Sequence, residues 1–200
     1  MENINKKTII VASANKGKLK EISEMLSEYN VIGYKSLGLD FEIEETGTTF
    51  YENAKIKATA VMQATGQAVL ADDSGLCVDA LNGAPGIYSA RYSDDGTDEN
   101  NNKLLLENLK NVATEQRTAK FVCCMVMVFP NGKEIFAEGE TKGIIAEYPQ
   151  GENGFGYDPL FISSDLNKCL GVASPQEKNT ISHRSRALNK LIKLLREYEK

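Results

Sequence analysis

Residues 8–29 read TIIVASANKGKLKEISEMLSEY, and the character of the chain changes midway through them. Residues 8–14 are β-branched and apolar, the composition of a buried strand. From Lys16 the pattern becomes helical, with Leu19, Ile22, Leu26 and Tyr29 spaced three or four apart on one apolar face through residue 29. A strand passing directly into a helix is the opening of an α/β unit, and the rest of the chain continues in kind. Residues 31–35 suit a second strand, and residues 40–48 form an acidic segment of low regularity. Thr49 can cap a helix running to Thr65, with Phe50, Ala54, Ala58, Val61 and Ala64 on its buried side and Gly66 ending it. Residues 68–71 read as a short buried strand with Asp72-Asp73-Ser74-Gly75 directly after it. Gly83-Ala84-Pro85-Gly86 reads as a turn or loop. Thr97 or Asp98 opens a helix carrying Leu104, Leu105 and Leu109, and Asn100-Asn101-Asn102 reads as a helix-start or loop feature. Residues 118–129 and 134–145 read as long strands joined by Pro130-Asn131-Gly132-Lys133, whose Asn-Gly is a strong hairpin signal. A glycine-rich loop, residues 149–159, precedes a short strand at 160–162. A last amphipathic helix begins at Ser182, with Leu188, Leu191, Ile192, Leu195 and Tyr198 on its apolar face. Interleaved strands and helices with a central hairpin predict an α/β protein with a mixed β-sheet and flanking helices. No linker-like stretch divides residues 1–200, so one domain is expected.

Composition narrows the function. The 200 residues are 42% hydrophobic and 26% charged, ordinary for a globular protein. The formal net charge of −5 argues against non-specific coating of nucleic acid, which depends on phosphate neutralisation. A small anion held in a local basic pocket is compatible with it. The four cysteines form no C-x-x-C pair and His183 is the sole histidine, which disfavours a structural zinc site. Cys123, Cys124, Met125 and Met127 read as strand packing, and free thiols fit a reducing compartment. The first residues lack an apolar signal core, and the apolar run 121–129 is too short to span a bilayer. A cytoplasmic protein with no membrane and no nucleic-acid partner is expected.

Four places carry candidate chemistry. Ser13-Ala14-Asn15-Lys16-Gly17-Lys18 lies between the first strand and first helix, where unpaired N–H groups and the helix dipole attract phosphate. An N-cap followed by surface lysines is the plain alternative. Asp72 and Asp73 follow a strand, and Glu42, Glu44 and Glu45 lie in an irregular segment; carboxylates from two such places suit Mg²⁺. A turn cap and a solvated acidic loop are the plain alternatives, and Asp73 is favoured as functional. Asn153-Gly154-Phe155-Gly156-Tyr157-Asp158-Pro159 places aromatics among glycines, which suits stacking on a base or, equally, a tight turn with its rings in the core. Lys178, His183 and Arg184 surround a helix start; a charged first turn is the common plain alternative, but cations there oppose the dipole, and this placement mildly favours a ligand role. Tyr88 and Tyr92 fit either a cleft or an interface. Asp94, Asp95 and Asp98 read as a solvated loop.

In this order the motifs resemble the inosine/xanthosine triphosphate pyrophosphatase family. The carriers are S-A-N-K-G-K at 13–18, E-E-T-G at 44–47, F-Y-E-N-A at 50–54 and A-D-D-S-G-L at 71–76. G-A-P-G-I-Y-S-A-R-Y at 83–92, G-F-G-Y-D-P at 154–159 and E-K-N-T-I-S-H-R at 177–184 complete the set. Ser13-Ala14 departs from the Thr-Gly of many members but keeps the hydroxyl. The resemblance implies an elongated mixed sheet with helices, two lobes around a central substrate cleft, and a homodimer. It implies Mg-dependent hydrolysis of ITP, dITP and XTP to the nucleoside monophosphate and pyrophosphate, which cleanses the nucleotide pool. It also implies roles: residues 13–18 on the triphosphate, Glu44 and Asp73 on Mg²⁺, Asp73 as acid–base residue and Ser74 on substrate. Phe155, Gly156, Tyr157, Asp158, Lys178, His183 and Arg184 would serve the base and sugar. The alternatives are a related pyrophosphatase with another base preference and a nucleotide-binding module without turnover.

Overall fold

The computed structural model describes residues 6–199. Its elements are β1 (Thr8–Val11), α1 (Lys16–Met25), β2 (Asn30–Gly33), α2 (Phe50–Thr65), β3 (Val69–Val78), α3 (Asp98–Asn108), β4 (Thr118–Val128), β5 (Glu134–Ile145), β6 (Phe161–Ser163), β7 (Lys168–Cys169), α4 (Pro175–Ile181) and α5 (His183–Tyr198). The sheet order is β2-β1-β3-β4-β5-β6-β7. β1 runs parallel to β2, Thr8 opposite Asn30, and parallel to β3, Ile10 opposite Val69. β6 is antiparallel to β5 and to β7. The sheet is mixed, as expected. No described helix is long and apolar enough to cross a membrane.

By internal packing the chain divides into two compact units. The first takes in the chain up to Asp73, Cys124–Ala137 and the chain from Leu188. The second takes in Ser74–Cys123 and Glu138–Ala187. In the first, Ile10, Val69 and Ala71 pack with Ala54, Ala58 and Val61 of α2 and with Cys124, Val126 and Val128. In the second, Leu76, Leu105, Leu109, Phe121, Leu160 and Phe161 form the core.

Local signals set several boundaries where the sequence places them. Thr49 caps α2 by accepting the Glu52 N–H, and Gly66 ends that helix at φ 66°. Gly132, at φ 80°, donates to the Phe129 carbonyl at 3.0 Å and closes the β4–β5 hairpin. Other boundaries differ. α1 ends at Met25 rather than residue 29, and β2 gives way at Tyr34 to a 3₁₀ turn. Ala64 is exposed, not part of the buried face of α2. β7 and α4 lie outside the expected elements, although α4 has a complete capping box in Ser174 and Glu177 with Pro175 in its first turn.

The largest difference is β3. It does not stop at Ala71 but continues through Asp72-Asp73-Ser74-Gly75 to Val78. Aspartate favours turns because its carboxylate competes for nearby backbone N–H groups. Here lysines engage both carboxylates, and the backbone stays extended.

One close approach is testable. β5 alternates buried and less buried positions, and a Cβ on its buried Gly139 would fall 2.2 Å from the His183 carbonyl oxygen and 2.4 Å from the Ala187 nitrogen. Both neighbours are backbone atoms of α5 and have little room to yield. Gly139→Ala is expected to lower stability by about 1–3 kcal/mol, the range for overpacking, read as a lower urea midpoint at unchanged m-value.

Candidate functional site

In the first unit the site begins where β1 ends. The Ser13 hydroxyl accepts the Asn15 N–H at 3.2 Å, and the Asn15 side chain accepts the Lys18 N–H at 3.0 Å. Asn15 is thus the N-cap of α1. Ala14, Asn15 and Lys16 are exposed, and Ser13, Gly17 and Lys18 are partly buried. These residues lie at the positive end of the helix dipole. Lys18 is not a plain surface lysine. Its ammonium lies 3.0 Å from Asp72, whose side chain has no exposure to solvent.

Successive strand residues point to opposite faces, and Asp73 meets a different lysine. Lys57 Nζ lies 2.9 Å from Asp73 Oδ1 and 2.6 Å from Glu45 Oε1, so one ammonium joins two carboxylates. Asn53, fully buried on α2, donates to Asp73 Oδ2 at 3.4 Å and accepts the Gly47 N–H at 2.9 Å. The loop before α2 is drawn tightly onto the helix, since a Cβ on Gly47 would fall 2.6 Å from Cβ of Glu52. Thr48 donates to the Glu52 carboxylate through both its N–H and its hydroxyl.

Burial pushes the Asp73 carboxyl above its ordinary value, against the opposing pull of Lys57 and Lys18. Burial also works to lower Lys57, but the charges of Asp73, Asp72 and Glu45 outweigh it and hold Lys57 above its ordinary value. The glutamate brought to Asp73 through Lys57 is therefore Glu45, while Glu44 stands exposed. Among the described residues, no group of three or more His, Cys, Asp or Glu side chains is arranged to hold a metal ion. Asp73 and Glu45 nevertheless direct two hard oxygen donors at one cationic point. That suits Mg²⁺, which takes one or two carboxylates and completes its shell with water and phosphate oxygens.

In the second unit the site is built around Asp158, which is buried. Its Oδ2 accepts from Lys178 Nζ at 2.6 Å and from the Phe155 N–H at 2.9 Å. Gly154, at φ 80°, sits so close that a Cβ there would lie 2.0 Å from the same oxygen. Phe155 is partly buried, with the Lys178 ammonium 4.7 Å and the Arg184 guanidinium carbon 5.7 Å from its ring centroid. Cations over an aromatic face are attracted by the ring quadrupole. Arg184 is almost wholly buried and donates to Ser74 Oγ at 3.3 Å.

Not every expected side chain joins that group. Tyr157 turns inward, where its hydroxyl donates to the Ser89 carbonyl at 2.9 Å and its ring enters the core. Burial drives its phenol far above the ordinary value. His183 is buried with its ring stacked on Phe121 at 4.8 Å. Lys178 lies in the last turn of α4 rather than the first turn of a helix. There the dipole favours a cation, and only His183 and Arg184 stand at a helix start where it opposes one. Sequence reading assigned no role to Asn53 or Lys57. The available signal was a polar residue and a lysine four apart, each directly beside the apolar stripe of Ala54, Ala58 and Val61.

A buried carboxylate of raised pKa held by a lysine, as Asp73 is by Lys57, is an arrangement that clusters at functional sites. Residues 9–194 match the Ham1 family, and this chain belongs to that family. A dITP/XTP pyrophosphatase of Nitratidesulfovibrio vulgaris is 50% identical over 96% of this chain and 97% of its own. One from Bacillus subtilis is 48% identical over 94% and 97%. The solved Staphylococcus aureus Ham1 protein superposes with a TM-score of 0.85 at 45% identity, covering 97% of this chain and all of that one. The resemblance drawn from the seven motifs is borne out.

Two measurements probe the first group. Lys18→Ala strands the buried Asp72 carboxylate and is expected to cost about 3 kcal/mol, the low end for removing one partner of a buried pair. Lys16→Ala, at an exposed position, should stay within about 0.5 kcal/mol; chemical denaturation compares the two. In metal-free protein, Asp73 should titrate above an ordinary aspartate by carboxyl NMR. Lys57→Met removes the charge that opposes this rise, so the titration should move to still higher pH.

Proposed function

We propose that this chain hydrolyses non-standard purine nucleoside triphosphates, dITP, ITP and XTP, to the nucleoside monophosphate and pyrophosphate. The observation that carries the reading is Asp73: a buried carboxylate of raised pKa on β3, held by Lys57 and Asn53. The names of the relatives supply the substrate class.

Asp73 is the group that would orient the attacking water and take its proton, and its raised pKa brings a carboxylate closer to the basicity that task requires. The carboxylates that would hold Mg²⁺ are Asp73 and those of the Glu44–Glu45 pair. Bound there, the ion would offset phosphate charge as phosphorus is attacked. Lys18 and Lys57 would add positive charge along the triphosphate, with Ser13, Ala14, Asn15, Lys16 and Gly17 at the open end of α1. In the second unit, Phe155 supplies a face for stacking, and Lys178 and Arg184 are donors suited to a 6-oxo purine edge. A donor-lined pocket disfavours adenine, whose 6-amino group would leave those donors unpaired. We place Ser74, Gly156, Tyr157, Asp158 and His183 with this second group, Tyr157 and His183 acting from the core behind it. The same reading carries a homodimer in the cytoplasm, for which light scattering and fractionation are the tests.

Pyrophosphate release from ITP, dITP and XTP against ATP and GTP, with and without Mg²⁺, tests the activity. Asp73→Asn should lower turnover by about 10²–10⁴-fold through loss of the base alone, and more if metal affinity falls too, while unfolding stays cooperative. A folded variant that keeps most of the wild-type rate at saturating Mg²⁺ would remove Asp73 from this role.

A further inference from the structure

The run Asn100-Asn101-Asn102 at the start of α3 is not explained by helix propensity, since asparagine is a mediocre helix former. Each member has separate work. Asn100 donates to Asp95 Oδ2 at 2.6 Å, and Asn101 Oδ1 accepts the Ser93 N–H at 2.7 Å. Both bonds tie down the turn before α3. Asn102 reaches instead to the glycine-rich loop, donating to the Gly156 carbonyl at 2.9 Å. One turn earlier on the same helix, Asp98 Oδ2 accepts the Gly156 N–H at 2.7 Å. Asp98 is thus not part of a solvated loop.

From this we infer that Asp98 and Asn102 are positioning residues for base stacking: α3 grips the peptide groups on both sides of Gly156 and thereby sets the Phe155 ring. The inference rests on the base-stacking role given to Phe155 under the proposed function. The geometry is directional. The peptide before Phe155 donates to Asp158, the peptide after it donates to Asp98, and the next carbonyl accepts from Asn102. Phe155 therefore lies between two backbone N–H groups, each anchored to a carboxylate. Gly154 and Gly156 take φ values of 80° and 62° and offer no steric resistance to movement of their own. Without the α3 contacts, the backbone beside the ring would be held only by Asp158. Asn102 bears a cost in this position, because its Oδ1 is buried with no hydrogen-bond partner among the described residues. A buried amide with one end unsatisfied calls for a reason, and the bond to Gly156 supplies it.

Stacking acts equally on ground and transition states, so loosening it raises KM and leaves kcat in place. The experiment measures both constants for ITP in wild type, Asp98→Ala, Asp98→Asn, Asn102→Ala and Asn102→Asp, each also in a Phe155→Ala background. Inhibition by inorganic tripolyphosphate serves as a probe that lacks a base. Asp98→Ala and Asn102→Ala should each raise KM about fivefold, the scale of one typical net hydrogen bond, at constant kcat and constant tripolyphosphate inhibition. Asp98→Asn keeps an acceptor oxygen and should recover most of the loss. Asn102→Asp sets a carboxylate against a carbonyl and should be no better than alanine. In the Phe155→Ala background the α3 substitutions should have no further effect. Hydrogen exchange should quicken at the Phe155 and Gly156 amides while the β-strand amides stay protected. Unchanged KM in folded variants, effects that persist without Phe155, or equal loss of tripolyphosphate binding would overturn the positioning role while leaving the activity standing. A wild type that releases no pyrophosphate from ITP would instead overturn the functional reading and this inference with it.

Discussion

Two consecutive carboxylates, Asp72 and Asp73, sit inside a strand with almost no access to water, and a different lysine reaches each of them. An unpaired charge in such a place is strongly destabilising, so the lysines are conditions for the strand rather than additions to it. This constraint shapes much of the first unit. α1 must deliver Lys18 to one carboxylate, and α2 must present Asn53 and Lys57 to the other. The loop before α2 must lie close enough for Glu45 to share Lys57, a closeness that Gly47 permits. The outcome is a carboxylate of raised pKa with a fixed ammonium beside it.

The second unit relies on an analogous device with a different product. Asp158 is a buried acid whose lysine partner and backbone N–H partner converge on one oxygen. There the charge pair organises a loop rather than a strand. Lys178 is held where its ammonium lies over the Phe155 ring, and the approach of Gly154 to the carboxylate leaves no space for a side chain. Both units thus use a buried aspartate as the fixed point to which a lysine or a glycine-rich loop is tied.

Features that depend on neighbours in the chain were legible in the sequence. Thr49 and Gly66 bound α2 through bonds that span a single turn, and Asn131-Gly132 closes the hairpin by a backbone preference of its own. The resemblance to a known family was legible too, because short polar motifs in a fixed order carry more information than any one of them. What escaped was decided by tertiary partners. Nothing near Asp72 and Asp73 announces that lysines from two helices will allow the strand to continue. Glu44 and Glu45 are adjacent and chemically identical, and only the position of Lys57 separates them. Tyr157 and Phe155 are separated by one glycine, yet one ring is core and the other is not, a difference set by the Ser89 carbonyl and by Asp158. The capping box of α4 was a local signal, present in Ser174-Pro175-Gln176-Glu177 but masked by the charged residues that follow it.

The acid pair of β3 has a further consequence, for how the sheet finds its alignment. A strand displaced by one residue turns every side chain to the opposite face. If β3 slid so that Asp72 took the place of Ala71, a carboxylate would enter a fully buried apolar seat among Ala54, Ala58 and Val61. If it slid the other way, Ala71 would stand before Lys18, and the ammonium would lose the charge it now faces. Apolar strands of valine, leucine and alanine tolerate such errors poorly but not absolutely, because one aliphatic residue can stand in for another. Asp72 and Asp73 have no such substitute. They index the strand as a keyway indexes a shaft: only one setting brings each acid to its own lysine.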